Sequence, residues 1–185
     1  MQEVSINKQM KLSEHFTLGE MCKTKHVTED GNIPSRVHIE NLKRICENWL
    51  EDLRYSYNML YVHSGVRPQS KVAGDCTLAP DPGAAPSSRK EEPIIINSGY
   101  RSPAVNLLAG GAKTSNHLSG CAVDIRCVGK EQMIRYASIL LDIADGTKQD
   151  YDELLLEQHG NVCWLHFAVR PPLQGNRRKI DFLKG

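Results

Sequence analysis

The sequence predicts an α+β fold, a small antiparallel sheet flanked by helices, and three observations carry that expectation. Two stretches, from Pro34 to about Tyr57 and from Lys130 to Asp145, repeat apolar residues at steps of three and four, the period of an amphipathic helix. Four short runs, Pro93–Asn97, Ala122–Cys127, Tyr151–Leu156 and Val162–Val169, have the composition of strands. The last two are joined by His159-Gly160-Asn161, a turn signal that makes them antiparallel neighbours. Against a prior of ~150 residues per domain, 185 residues fit one domain spanning 1–185, with an insertion.

In chain order, Met1 to Leu12 is polar and mixed in charge and lacks the apolar core of a secretory signal. Synthesis in the cytoplasm is expected, and action at the cell wall would need another exit route or a leader already removed. Ser13 to Met21 reads as a short helix, with Thr17-x-x-Glu20 at capping-box spacing. The next helix places Ile39, Leu42, Ile45, Trp49 and Leu53 on one face and Glu40, Lys43, Glu47 and Glu51 on the other. Its Trp and Ile residues belong to a core. Leu60 to His63 is a strand candidate. Residues 65–92, rich in Pro, Gly and Ser, read as a long exposed loop or insertion. After the run at Pro93–Asn97, Ser102-Pro103 starts a short helix through Leu108, ended by Gly110-Gly111. The helix from Lys130 turns Met133, Tyr136, Ile139, Leu140 and Ile143 to one side.

Lys plus Arg is 23 and Asp plus Glu is 22, a net charge of +1. That balance excludes a strongly basic nucleic-acid binder, an acidic solvating tail and a polybasic membrane-surface protein. No stretch approaches the ~18 consecutive apolar residues of a membrane span. The six cysteines, Cys22, Cys46, Cys76, Cys121, Cys127 and Cys163, contain no CxxC pair. They are expected to be reduced and mostly buried, as free cysteines commonly are.

The most informative stretch is Ser115-x-His117-x-x-Gly120-x-Ala122-x-Asp124, followed far downstream by Trp164-Leu165-His166-Phe167. Asp124 lies between Val123 and Ile125, where an ionised carboxylate is costly unless it is paired or bound to a metal. His166 also sits among apolar residues, and strand alternation puts Trp164, His166 and Ala168 on one face. Two imidazoles and one carboxylate would leave a fourth position open around zinc, the ligand count of a catalytic site. Taken singly, each residue also has an ordinary reading: an exposed loop histidine, a turn aspartate, a satisfied core histidine. Gly120 and Ala122 suit a close approach of backbone to the metal. A second pattern is an echo: His63-Ser64-Gly65-Val66-Arg67-Pro68 repeats in outline as Asn97-Ser98-Gly99-Tyr100-Arg101-Ser102-Pro103, so either Arg67 or Arg101 could serve one site.

The Ser-x-His-x-x-Gly-x-Ala-x-Asp pattern with its distant Trp-x-His resembles the zinc D-Ala-D-Ala carboxypeptidases and murein endopeptidases, whose fold is shared with the hedgehog signalling domain. Leu12 to Met21, Pro93 to Asn106 and Tyr151 to Glu157 resemble segments of the subgroup found in bacterial and phage genomes. The likeness covers most of the chain except about 65–92. It implies zinc on His117, Asp124 and His166, with Arg101 near the substrate carbonyl or terminal carboxylate. It implies that Ser115 hydrogen-bonds substrate or the metal loop. A peptidoglycan peptide would be the substrate of a monomeric enzyme without a nucleic-acid partner. Arg101 is preferred to Arg67 because Pro103 and Asn106 also fit. The chain departs from the family at the general base. Several relatives place Glu three residues before the last histidine, where this sequence has Cys163. Glu157 matches an acidic position of the closer subgroup, and its apolar neighbours would raise its pKa; Glu153 and His159 are the other candidates. The departure leaves a rival reading, a non-catalytic zinc-containing murein-binding or phage structural module, or a structural protein without metal.

Overall fold

The computed structural model describes residues 7–63 and 90–185. Arg67, Cys76 and most of the expected insertion at 65–92 lie outside the described residues.

The chain opens with a one-turn helix, α1 (Leu18–Met21), whose start is the capping box expected from Thr17 and Glu20. A long helical run follows. It comprises α2 (Arg36–Ile45), a wide turn of π type at Cys46–Leu50, α3 (Glu51–Tyr57) and a second wide turn at Asn58–His63. Ser35 caps it, accepting from the His38 amide. Leu42, Ile45, Trp49 and Leu53 are buried, as their spacing predicts. The strand expected at Leu60–His63 is instead the end of this helix. Asn58 is buried there and donates to the carbonyls of Arg54 and Glu92 at 2.8 and 3.0 Å, which carries the helical turn onward. Four apolar residues are too few for periodicity to separate strand from helix.

The sheet has five strands in the order β1-β2-β4-β3-β5: β1 (Ile96–Ser98), β2 (Ala122–Cys127), β3 (Glu153–His159), β4 (Val162–Ala168) and β5 (Lys179–Lys184). The first four pair antiparallel. The fifth runs parallel to β3, so the sheet is mixed rather than wholly antiparallel. β5 is exposed throughout and so lacks the alternation of burial that marks a strand in sequence. The run at Pro93–Asn97 contributes only its end to β1, where an irregularity between Ile96 and Ser98 brings Ser98 opposite Asp124. Helix α4 (Pro103–Leu108), capped by Ser102, and helix α5 (Gly129–Thr147) agree with expectation within two residues.

Strand alternation divides the sheet into two faces. Val123, Ile125, Cys127, Leu154, Leu156, Cys163, Leu165 and Phe167 join the helices in the core. Trp49 meets Phe167 with ring centroids 4.9 Å apart, and Tyr57 meets Tyr136 of α5 at 4.8 Å. The opposite face carries Asp124, Arg126, Glu153, Leu155, Glu157, Trp164 and His166, in cross-strand register. The helical layer thus covers one face and leaves the other for polar residues. Five of the six cysteines are described, all as free thiols, and four of these are buried. Burial pushes the Cys22 and Cys127 thiols up to about 12, which makes them poor nucleophiles. Among the described residues, no helix is long and apolar enough to cross a membrane.

Candidate metal centre

His117, Asp124 and His166 converge on the polar sheet face. All three are buried, and one ligand atom from each lies within 4.8 Å of the others. Asp124 and His166 are direct cross-strand partners on β2 and β4. His117 comes from a 3-10 turn (Asn116–Ser119) that leads into β2 through Gly120. Asp124 Oδ1 lies 3.2 Å from His117 Nε2 and 2.9 Å from His166 Nδ1. Tetrahedral ligands ~2.0–2.1 Å from zinc sit roughly 3.3 Å apart, so these separations match one coordination sphere.

The proton positions support the same conclusion. His117 Nδ1 is 2.5 Å from the Gly99 carbonyl, which only accepts, so Nδ1 carries the proton. Burial lowers the His117 pKa, and its Nε2 is turned to the Asp124 carboxylate. A neutral ring there would aim a lone pair at the carboxylate, an arrangement that a shared cation relieves. His166 presents Nδ1 to Asp124 and Nε2 to Glu153 Oε2 at 3.5 Å. Burial would lower its pKa, but these two carboxylates outweigh it and raise it to about 9. Asp124, although buried, is held well below the usual carboxylate range by His117 and His166. The donor set therefore fits a divalent cation, with one carboxylate and two imidazoles as ligands.

Arg101 lies beside this centre and is firmly held. Its Nε donates to Ser98 Oγ at 2.9 Å and its Nη2 pairs with Asp124 Oδ2. The sequence suggests a place toward substrate; what the structure shows is its pairing with a candidate ligand. Ser115 caps the 3-10 turn, accepting from the His117 amide at 3.3 Å. Glu153 accepts from Asn116 at 3.0 Å and pairs with Arg177 at 2.9 Å. The hydrogen bond from His166, the charge of Arg177 and the hydrogen bond from Asn116 outweigh burial and hold its carboxyl at about 2. Glu157 differs: burial pushes its carboxyl up. It lines a hollow of about 490 Å³ together with Arg101, His117, Asp124, Trp164 and His166. Its cross-strand partner is Trp164. His159 lies two residues beyond it at the exposed end of β3, outside the lining of that hollow.

Cys163 faces the core on the side of β4 opposite to His166. An odd offset on a regular strand reverses the face, so this position is remote from the centre whatever residue occupies it. Gly120 also has a reason other than the expected one. It adopts φ +68°, and an added Cβ would lie 2.7 Å from the His38 carbonyl, so the close approach is to α2 rather than to the metal. Sequence reasoning missed Asn116, Trp164 and Arg177 as parts of the site. Asn116 and Trp164 lie inside the quoted motifs, whereas Arg177 carried no local signal.

A family model described as Peptidase M15 matches residues 87–150. That stretch, roughly a third of the chain, contains Arg101, Ser115, His117 and Asp124; Glu157 and His166 lie beyond it. The match supports kinship with metallopeptidases, and the convergent donor set supports metal dependence. No curated protein matches the chain.

Proposed function

We propose that this chain is a zinc-dependent hydrolase of peptide bonds in peptidoglycan stem peptides, of the D-Ala-D-Ala carboxypeptidase or murein endopeptidase type. The observation that carries the reading is the buried His117-Asp124-His166 set on the floor of a hollow that also holds Glu157 and Arg101. Zinc held there would supply a Lewis acid for the scissile carbonyl and lower the pKa of a water. Glu157 is the general base: it takes the proton of the attacking water and returns it to the leaving amine. Its raised pKa suits both directions of transfer better than the permanently ionised Glu153. Arg101, locked by Ser98 and Asp124, stabilises negative charge on the carbonyl oxygen without having to reorient. Trp164 walls the hollow beside Glu157.

The test is release of D-alanine or of cleaved peptide from purified muropeptides by the zinc-loaded protein. Activity should vanish with a chelator and return with zinc. Glu157→Gln should retain stoichiometric zinc and lose about 10²–10⁴ in kcat, the usual contribution of a positioned acid–base group. Stoichiometric zinc with no cleavage by the unmodified chain would leave a binding module. Loss of zinc rather than of turnover in Glu157→Gln would remove Glu157 from the role of base.

A further inference from the structure

The connection from α4 to the metal turn forms one wall of the hollow, through Ala109 to Ala112 and Thr114 to Asn116. Its first four residues, Ala109-Gly110-Gly111-Ala112, carry nothing larger than a methyl group. Three of their peptide groups, the Gly110 and Gly111 carbonyls and the Ala112 amide, form no hydrogen bond with any described residue. A main chain bare of large side chains and with open peptide groups can be approached by a second main chain to about 4.8 Å, the spacing of paired strands.

A second, independent observation lies beneath this wall. Asn106, on the last turn of α4, is 4% exposed. Its Nδ2 donates to the Ala112 carbonyl at 3.0 Å, and its own carbonyl accepts from the Gly111 amide at 2.9 Å. Its Oδ1 is buried without a hydrogen-bond partner and is aimed at Gly111, where an added Cβ would overlap it. An amide oxygen buried unpaired costs free energy and calls for a reason. The reason is shape: the carboxamide fills the space in which a side chain at 111 would stand and fixes the outline of the wall. Gly110, at φ +70°, turns the chain out of α4 into that position.

We infer that Ala109–Ala112 is a main-chain rail, which takes an extended substrate peptide by hydrogen bonds to its backbone, and that Asn106 is the positioning residue that holds the rail. The inference deepens the peptidase reading and rests on it. It names what this wall recognises: the N–H and C=O groups of a peptide lying in the hollow that holds Glu157 and the candidate metal centre, rather than any one side chain.

The probe is the stem pentapeptide L-Ala-γ-D-Glu-L-Lys-D-Ala-D-Ala, with a series in which each amide in turn is replaced by an ester. The replacement removes one N–H donor without adding bulk. Affinity is measured by calorimetry on the zinc-loaded Glu157→Gln chain, and hydrolysis of the pentapeptide on the unmodified zinc-loaded chain. At least one ester should bind about tenfold more weakly than the parent peptide, the effect of one well-placed hydrogen bond. When Asn106→Ala or Gly111→Ala is added, zinc should be retained and the same ester should bind within about twofold of the parent peptide, because the rail has moved. Gly111 is only partly buried, so its variant carries the test if Asn106→Ala does not fold. Affinity indifferent to every ester, an ester penalty that survives in the folded variants, or loss of zinc from Gly111→Ala overturns the rail. An ester penalty that the variants abolish, without hydrolysis by the unmodified chain, keeps the rail and removes the peptidase reading; hydrolysis without an ester penalty does the reverse. A pentapeptide neither bound nor cleaved overturns both.

Discussion

At the scale of single residues, the centre depends on which atoms hold protons. The Gly99 carbonyl accepts from His117 Nδ1 and Glu153 faces His166 Nε2, so each imidazole would offer its other nitrogen to a cation. Glu153 is thus a positioning residue for His166, and Arg177 and Asn116 fix Glu153 in turn. Glu153→Gln should weaken zinc affinity by about 10–100-fold, as lost outer-shell partners commonly do, while the fold persists. Competition with a fluorescent chelator checks this. An unchanged affinity would make Glu153 only a surface ion-pair partner. His117→Ala and His166→Ala should each abolish stoichiometric zinc in elemental analysis.

At the scale of elements, α1 packs against the turn that carries Gly99. Gly99 lies directly against it, and an added Cβ would sit 2.4 Å from the Met21 carbonyl oxygen. No side chain fits without moving α1 or β1. Gly99→Ala should therefore cost about 1–3 kcal/mol, the usual range for overpacking, seen as a lower denaturant midpoint at unchanged slope. The same shift would disturb the Gly99 carbonyl that orients His117, so zinc affinity should fall with stability. A variant as stable as the parent would show that α1 is not clamped there.

At the scale of the whole molecule, Asp152 joins three distant parts of the chain. Its side chain is fully buried and accepts from Asn116 at 2.9 Å, from Arg177 Nη2 at 2.6 Å and from Arg170 Nε at 2.8 Å. It thus ties the metal turn and the start of β3 to the segment that leads into β5. Burial alone would raise its pKa, but Arg177 and Asn116 outweigh that and hold it at about 2. A carboxylate whose folded pKa is depressed stabilises the fold above its unfolded value, ~3.9, and loses that contribution as pH falls through the folded value. Unfolding free energy should therefore decline between about pH 4 and pH 2, and Asp152→Asn should flatten that decline while lowering stability at neutral pH. Denaturant titrations across this range provide the check. A parallel decline in the variant would place the acid sensitivity elsewhere.

The polypeptide by itself determined the residue types of the centre and most of the secondary structure. Alternation on β2 and β4 is local, so placing Asp124 and His166 on a face away from the core needed only period two and burial cost. The helical stripes and the capping box were legible for the same reason: they depend on neighbours within one or two turns. Only the tertiary structure decided what depends on packing between distant segments. It turned Leu60–His63 into helix, added β5 in parallel, and assigned Gly120 to the approach of α2. It also gave Glu157 and Glu153, which line one hollow, opposite surroundings: burial raises the first carboxyl, and His166 and Arg177 hold the second low. Both are acids on one short strand, and what separates them is the charge and burial that other strands bring to each, which no local pattern encodes.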